Sequence, residues 1–324
     1  MNINMRLRIV GTCLGLNWNR AIENETKSNS KSVAEVYNKE IERRRGVVSN
    51  STVENELTAY RSFLSFARHG ISIDELTPET MMRYERWLRD RGVIPNTSAC
   101  YMRSLRSVTN RLGLDGSTLF RNVRTTKDRT VKKSIDVASI KKVEAAKLPE
   151  NTYISLARDA FLFSIMSMGM PFVDMTHLKR SDVRDGIIIY NRRKTGRQVK
   201  VKIEPCMQEI IDRYHNDTSP YLFPFLTETY PARAEKEYCL AISRYNRTLK
   251  RLSVICGLKK KMTSYTARHT WATTALNSNI RLATISKALG HSSIVTTENY
   301  LKEIEDELLF EDNHMLLGGI FGNN

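Results

Sequence analysis

The sequence contains no apolar run long enough to cross a membrane. Its longest apolar stretch, around Phe161 to Met170, is broken by Ser and Gly, whereas a spanning helix needs about 18 or more apolar residues. Near the N-terminus, a short apolar segment after Arg8 leads into Asn17 and not into a small-residue cleavage site. We therefore expect neither an integral membrane protein nor an exported one.

Cysteine is scarce and shows no paired spacing. The five cysteines are widely separated and form no Cys-x-x-Cys pair: Cys13, Cys100, Cys206, Cys239 and Cys256. An odd number at these spacings argues against both a disulfide framework and a zinc site, so we expect reduced thiols in a cytoplasmic protein. The sequence also offers no cluster of acids that could hold Mg²⁺. No metal and no other cofactor is therefore expected.

Glycine, proline and acidic residues are also few. With 15 Gly and 8 Pro in 324 residues and 41% hydrophobic residues, the chain is expected to be globular and neither fibrous nor disordered. At about 150 residues per domain, its length suggests two domains. The 35 Asp and Glu residues are outnumbered by 51 Lys and Arg, which gives a net charge of +16. Such a charge attracts polyanions, so nucleic acid or an acidic membrane surface is the expected partner.

Residues 31 to 115 show helical periodicity throughout. Apolar residues recur at helical spacing from Val33 to Ile41, from Val53 to Leu64 and from Tyr101 to Leu112. Thr77-Pro78 has the pattern of a further helix start, with Pro at the first helical position. Ser51 and Glu54 have the spacing of a capping box. These patterns predict a small bundle of four helices.

A basic segment from Arg121 to Lys133 follows the bundle. It holds six basic residues and one acid without apolar periodicity, and includes Arg124, Lys127, Lys132 and Lys133. We interpret it as a linker. A solvated charged linker and a strap lying along phosphates both fit this composition.

A β-hairpin is predicted in the second half of the chain. The β-branched run from Ile187 to Tyr190 and the alternating run from Val199 to Ile203 flank a turn around Gly196. Helical patterns precede the hairpin, from Val137 to Lys147 and from Tyr153 to Met168. Helical patterns also return after it, from Glu235 to Phe310. The sequence therefore predicts a mainly α fold with a small β-sheet.

Three polar residues near the C-terminus occur in a recognisable order. Arg268 lies within a helical pattern, His291 follows in Leu289-Gly290-His291, and Tyr300 comes nine residues after the histidine. This ordered set resembles the tyrosine recombinase, or phage integrase, family. Several stretches are most similar to site-specific recombinases of Bacteroides-type mobile or invertible DNA elements. A further residue matches the family's hairpin lysine: Lys194.

The resemblance implies a division of the chain. Residues 31–115 are similar to the family's helical SAM-like core-binding domain, and residues 134–310 to its mixed α/β catalytic domain. The remaining segments are a short N-terminal segment (1–30), the basic linker (116–133) and a C-terminal tail (311–324). Residues 301 to 310 form an acidic amphipathic segment. It could dock on a neighbouring protomer or pack on its own domain.

The resemblance also implies roles for these residues. Tyr300 would attack the phosphodiester, Arg268 and His291 would donate hydrogen bonds to the phosphate oxygens, and Lys194 would protonate the departing 5′-oxygen. Neighbouring cations are interpreted as phosphate-positioning residues and not as catalysts: Arg192, Arg193 and Arg197 in the hairpin, with Arg124, Lys127, Lys132 and Lys133 in the linker.

Two positions depart from the family pattern. Tyr265 stands where the family usually has a histidine, and it can still hydrogen-bond a phosphate oxygen. Pro171 stands where the family has its first arginine. Bacteroides-type relatives often carry this arginine just before Gly-Met instead, and Met168 occupies that position here. Arg180 and Arg158 are the cations that could substitute. Otherwise the site is one donor short.

The expected function is site-specific DNA recombination by a homotetramer that exchanges strands without metal or ATP. The sequence leaves open whether the reaction is inversion or integration and excision, and which DNA site is recognised. A DNA-binding member that has lost efficient cleavage is the alternative, because the first arginine is missing. A type IB topoisomerase is a lesser rival.

Overall fold

The computed structural model describes residues 31–68, 70–128, 134–291 and 293–301. The chain divides into two compact units, whose described parts are residues 31–128 and 134–301. Within these residues, no helix is both long enough and apolar enough to cross a membrane. The expectations for Lys132, Lys133 and the C-terminal tail lie outside the described residues.

The first unit is the predicted helical bundle. Its helices are α1 (Val33–Glu42), α2 (Asn50–Phe66), α3 (Pro78–Asp90), α4 (Pro95–Arg111) and the single turn α5 (Gly116–Leu119). The four predicted helices are confirmed. The predicted capping box is wrong, because the Ser49 hydroxyl caps α2 by accepting a hydrogen bond from the Thr52 amide at 3.3 Å. Helix α2 therefore begins before Ser51.

Charged side chains join three helices of this unit. Glu56 of α2 is only 4% exposed, and its carboxylate accepts hydrogen bonds from Arg44 at 2.8 Å and from Arg111 of α4 at 2.9 Å. Arg111 also donates to Glu40 of α1 at 3.0 Å. Buried carboxylates are tolerated when they are paired in this way. This network holds α1, α2 and α4 together.

The second unit combines eight described α-helices with one small sheet. The helices are α6 (Val137–Glu144), α7 (Tyr153–Met166), α8 (Phe172–Thr176), α9 (Pro205–Arg213), α10 (Pro231–Ile255), α11 (Thr266–Asn277), α12 (Leu282–Ala288) and α13 (Ile294–Leu301). Helix α7 is buried over most of its surface and forms the centre of the unit. It contacts both α10 and α11.

The sheet contains the predicted hairpin and one further strand. Strands β1 (Val183–Arg184), β2 (Ile187–Asn191) and β3 (Gln198–Lys202) are antiparallel in the order β1-β2-β3. Ile188 of β2 is paired with Val201 of β3, and both side chains face the core. Alternate residues of β3 are exposed. The hairpin prediction is confirmed, and β1 was not predicted.

Candidate active site

The site is built around the turn that ends α12. The carbonyl oxygen of Leu289 accepts a hydrogen bond from Nη2 of Arg268 at 2.5 Å and a second from Nη1 of Arg192. Two nitrogens that bond one oxygen lie within about 6 Å of each other. The turn therefore brings two guanidinium groups together, one from α11 and one from the hairpin.

Arg268 is held by backbone groups on two sides. It is only 5% exposed, and its Nη1 donates to the carbonyl oxygen of Gly169 at 3.0 Å. Gly169 has a φ of +73°, and a Cβ at this position would lie 3.0 Å from the Cα of Arg268. A side chain at residue 169 would therefore push against Arg268. The loop between α7 and α8 thus fixes the position of this arginine.

Arg192 is buried, unlike its neighbours in the hairpin. Ile188 and Tyr190 of β2 face the core, and Arg192 continues this alternation on the same face, with 7% exposure. Its Nε donates to Oδ2 of Asp174 in α8 at 3.1 Å. Arg192 therefore does not share the exposed position of Arg193 and Arg197, because it is buried in a pair with Arg268. Its contact with phosphate stays a prediction.

Asp174 orients both the Arg192 side chain and the backbone of the hairpin. Its Oδ1 accepts the backbone N–H of Arg193 at 2.9 Å. Burial raises the pKa of Asp174, while the Arg193 amide and the Arg192 guanidinium act in the opposite direction. Asp174, which is paired with the Arg192 guanidinium, can supply at most one negative charge for the two arginines. Arg192 and Arg268 together therefore keep a net positive charge, which a bound anion could balance.

The turn approaches Arg192 closely because it contains a glycine. Gly290 has a φ of +61°, and a Cβ there would lie 3.0 Å from Cδ of Arg192 and 3.2 Å from Cγ2 of Val199. The φ value favours glycine, and the contact leaves no room for a side chain. This is the physical reason for glycine in the Leu-Gly-His turn.

His291 lies between the arginine pair and α13. Arg268 Nη2 lies 3.3 Å from His291 Nε2, and Thr297 Oγ1 lies 2.8 Å from its Nδ1. Burial lowers the pKa of His291 to about 4, with further contributions from the positive charges of Arg268, Arg192 and Lys194. The imidazole is therefore neutral at pH 7, and a bound anion would favour its protonated form.

The remaining cations of the hairpin are exposed. Arg193, Lys194 and Arg197 all reach the surface, and Arg197 Nη1 donates to the carbonyl oxygen of His291 at 2.6 Å. Lys194 is close enough to affect the pKa of His291. The structure thus brings Arg268 and His291 into contact, and Lys194 lies near enough for its charge to act on the histidine.

The two tyrosines of the predicted site lie at the ends of helices. Tyr265 precedes α11 and is 58% exposed, with its ring centroid 6.1 Å from that of His269. The backbone of Tyr300 belongs to α13, which begins at Ile294, three residues after His291. The side chain of Tyr300 lies outside the described residues.

The two expected substitutes for the first arginine make their contacts elsewhere in the second unit. Arg158 donates to Asp159 at 2.8 Å and to the carbonyl oxygen of Ala146 at 3.1 Å. Arg180 donates to the carbonyl oxygen of Ser219 at 2.9 Å and is paired with Asp217. Their guanidinium groups are therefore engaged in other contacts. Arg192 is the cation that shares the Leu289 carbonyl with Arg268.

The linker cations that the structure describes, Arg124 and Lys127, are exposed, whereas Phe120 and Val123 of the same segment are buried in the core of the first unit. Arg124 is paired with Asp128 four residues later, and its backbone N–H donates to Glu85 at 2.9 Å. Lys127 is exposed. Across the described ranges, no group of three or more His, Cys, Asp or Glu residues could hold a metal ion.

Three contributors to this site were missed by sequence reasoning. The buried role of Arg192 could have been inferred from strand alternation, because it is two residues after Tyr190. Gly169 could have been suspected as a turn residue after α7. The contact of Thr297 with His291 has no sequence signal that distinguishes it from ordinary helix packing.

Comparison with known proteins identifies both units. The model described as "Phage integrase family" matches residues 138–307, and that described as "Phage integrase SAM-like domain" matches residues 32–111. A "Tyrosine recombinase" of Pseudothermotoga lettingae is 28% identical over 131 residues, which cover 38% of this chain and 42% of the relative. "Tyrosine recombinase XerD" of Staphylococcus aureus strain Mu50 is 24% identical over 294 residues, which cover 83% of this chain and 93% of the relative.

A solved structure has a similar fold. The lambda integrase tetramer bound to a Holliday junction matches with a TM-score of 0.64 at 14% identity, covering 86% of this chain and 80% of that one. The SAM-like domain and the mainly helical catalytic domain with a small sheet, which the sequence predicted, are thus confirmed.

Proposed function

The chain belongs to the phage integrase family, and from that premise we propose which of its residues cut and rejoin DNA. Members of the family are site-specific DNA recombinases. The observation that carries the proposal is the convergence of Arg268, Arg192 and His291 at the turn before α13. The helix that follows this turn contains Tyr300. A phosphate at the turn would meet several donors.

The reaction has one nucleophile and one acid. The phenolate oxygen of Tyr300 attacks phosphorus, a bond forms between them, and the bond from phosphorus to the 5′-oxygen breaks. Lys194 gives its proton to that oxygen, which leaves as a hydroxyl. The 3′-phosphotyrosine conserves the bond energy. Religation by a 5′-hydroxyl therefore needs no ATP.

The cations supply the stabilisation that such a reaction requires. Arg268 and Arg192 donate to the non-bridging oxygens, and His291 donates a further hydrogen bond as charge builds on the phosphorane. An unperturbed tyrosine has a pKa of about 10, so nearby positive charge is needed to favour its ionised form. Tyr265 is proposed as an additional donor to a phosphate oxygen, in place of the family's histidine.

Arg192 takes the role of the missing first arginine. Pro171 cannot donate a hydrogen bond from its side chain, whereas Arg192 reaches the same carbonyl oxygen as Arg268. Its Nε is occupied by Asp174, which fixes the plane of the guanidinium. A fixed guanidinium fork matches the geometry of a phosphate. The site is therefore not one donor short.

The exposed cations position the DNA backbone. Arg193 and Arg197 lie on the surface beside the site, and Arg124 and Lys127 lie in the linker. Contacts to phosphates of this kind fix the register of a protein on DNA without reading its sequence. Lys132 and Lys133 are proposed for the same role on the basis of the sequence.

The protein is also expected to assemble on DNA. A homotetramer on two duplexes is proposed, because strand exchange needs four cleavages and the similar lambda integrase forms a tetramer on a Holliday junction. A cytoplasmic location is proposed as well, because the proposed substrate is DNA. A DNA-binding member without cleavage is not favoured, because the buried arginine pair is present.

Covalent trapping on a nicked suicide substrate tests the proposal. The nick lets the short fragment that carries the 5′-hydroxyl diffuse away, so that religation is prevented. The covalent protein–DNA adduct then accumulates and is detected in a denaturing gel. We expect an adduct with the wild-type chain on DNA that carries its recombination site. The matched control Tyr300→Phe removes only the nucleophilic oxygen and should bind DNA without forming an adduct. An adduct of undiminished yield with Tyr300→Phe would contradict the assignment.

A further inference from the structure

Thr297 joins the helix of the nucleophile to the histidine of the site. It lies in α13, three residues and thus about one turn before Tyr300, and its side chain is fully buried with 0% exposure. Its hydroxyl lies 2.8 Å from Nδ1 of His291. Residues three apart lie on one face of a helix. The buried contact therefore occupies the face of α13 that carries Tyr300.

The hydroxyl contact differs from the usual contact of threonine in a helix. Thr58, Thr109 and Thr248 each donate to the carbonyl oxygen four residues earlier, which is the common local bond of a helical threonine. The hydroxyl of Thr297 faces a side chain in the preceding turn instead. Its contact therefore links two segments of the site and does not serve the helix alone.

The neighbours of His291 decide which ring nitrogen carries the proton. A guanidinium has donors only, so the contact of Arg268 with Nε2 at 3.3 Å requires Nε2 to be the acceptor. In a neutral ring the proton then lies on Nδ1 and is donated to Thr297. A phosphate oxygen in the site reverses this arrangement, because Nε2 must then donate. Nδ1 would then accept a hydrogen bond, unless the ring takes up a second proton.

We propose that Thr297 is a positioning residue for the cleavage reaction: its hydroxyl holds the His291 ring and serves either tautomer, so that Nε2 can donate to the phosphate. The proposal rests on the proposed function. A hydroxyl both donates and accepts, so it can remain bonded to Nδ1 before and after phosphate binds. The contact also ties the orientation of the ring to α13. The phosphate-binding turn and the nucleophile helix thereby stay in register.

A pair of substitutions separates the hydroxyl from the packing of the side chain. Thr297→Val keeps the size and branching but removes the hydroxyl, whereas Thr297→Ser keeps the hydroxyl and removes a methyl group. We expect Thr297→Val to slow single-turnover cleavage about 10- to 100-fold, by analogy with the range found when hydrogen-bond partners that orient metal-binding histidines are removed. Thr297→Ser should stay within about threefold of the wild type. DNA affinity should be unchanged in both variants.

A double-mutant cycle distinguishes positioning from a general structural role. If Thr297 acts through His291, Thr297→Val should cause no further loss of rate in a His291→Gln background. Full additivity of the two losses would overturn the proposal. So would a Thr297→Ser variant that is as slow as Thr297→Val, because packing would then explain the effect.

Nitrogen NMR of the histidine ring gives a readout that needs no cleavage. With ¹⁵N-labelled histidine, the free wild-type protein should show His291 mainly protonated at Nδ1, with a proton that exchanges slowly with water because the Thr297 hydroxyl accepts it. Thr297→Val should speed that exchange, whereas Thr297→Ser should preserve the slow exchange. Unchanged exchange of the Nδ1 proton in Thr297→Val would overturn the inference even if the wild type forms no adduct. A wild type without adduct but with the expected change in exchange would count against the proposed function alone.

Discussion

Arg192 and Arg268 donate hydrogen bonds to the same carbonyl oxygen, that of Leu289. One side chain comes from the β-hairpin and the other from α11, so the pair exists only when both elements pack on the Leu-Gly-His turn. Asp174 contacts Arg192 but supplies only one negative charge for two guanidiniums. A phosphate diester at this place would balance the remaining charge and accept the bonds now made to the backbone.

The first prediction concerns Arg192. Arg192→Gln should slow cleavage of a suicide substrate by about 10² to 10³, the usual effect of removing one donor to a developing oxyanion. Pro171→Arg should not accelerate cleavage, because Arg192 already fills the role. The matched control is Arg193→Gln, which should weaken DNA binding with little change in the rate of the bound complex.

Loss of Arg192 also removes the ion-pair partner of the buried Asp174, and an unpaired buried charge destabilises a protein. Arg192→Lys keeps the positive charge but loses the guanidinium fork, so it should remain folded and still cut at least tenfold more slowly. Thermal unfolding of each variant monitors the fold. Wild-type cleavage rates in folded Arg192→Lys and Arg192→Gln would show that the second donor lies elsewhere.

The second prediction compares two glycines with the same backbone conformation. Gly290 and Gly257 have φ values of +61° and +62°, but only at Gly290 would a Cβ meet neighbouring atoms within 4 Å. Each substitution by Ala should cost about 1 kcal/mol or more in unfolding free energy because of the positive φ. Gly290→Ala should in addition slow cleavage, since it displaces Arg192. Equal cleavage rates in the two variants would contradict the importance of this close approach.

The third prediction concerns pH. Burial lowers the pKa of His291 to about 4, below the ordinary value of about 6.5. Between these two pH values the unfolded chain binds more protons than the folded one, so the stability that depends on His291 falls as the pH is lowered. His291→Gln should make the free energy of unfolding less dependent on pH in this interval. An NMR titration of His291 with its midpoint near 6.5 would contradict the expected environment.

The fourth prediction concerns salt and metal ions. If six to ten phosphates are neutralised, DNA affinity should fall by roughly 10³ to 10⁵ between about 50 and 200 mM salt. Cleavage should persist in EDTA, because arginine, lysine and histidine side chains provide the positive charge. Gel-shift titrations measure the salt dependence, and trapping of the adduct with and without EDTA measures the second effect. Loss of the adduct in EDTA that Mg²⁺ restores would require a revised mechanism.

The helices and the hairpin could be predicted from the sequence because their signals are local. Apolar spacing in the run from Val33 to Ile41 and alternation in the run from Val199 to Ile203 depend on neighbouring residues only. The boundaries were less accurate, as at α2, where Ser49 and not Ser51 is the cap. Competing hydroxyls near a helix start differ little in local energy, so the packing of the helix decides between them.

The sequence by itself determined the order and chemistry of Arg268, His291 and Tyr300, because a motif is a property of spacing along the chain. Only the tertiary structure decided that Arg192 is buried beside Arg268, while Arg158 and Arg180 are engaged elsewhere. The physical reason is that a buried arginine needs both a counterion and hydrogen-bond acceptors. Asp174 and the Leu289 carbonyl provide these for Arg192, and they come from separate elements that meet only in the folded chain.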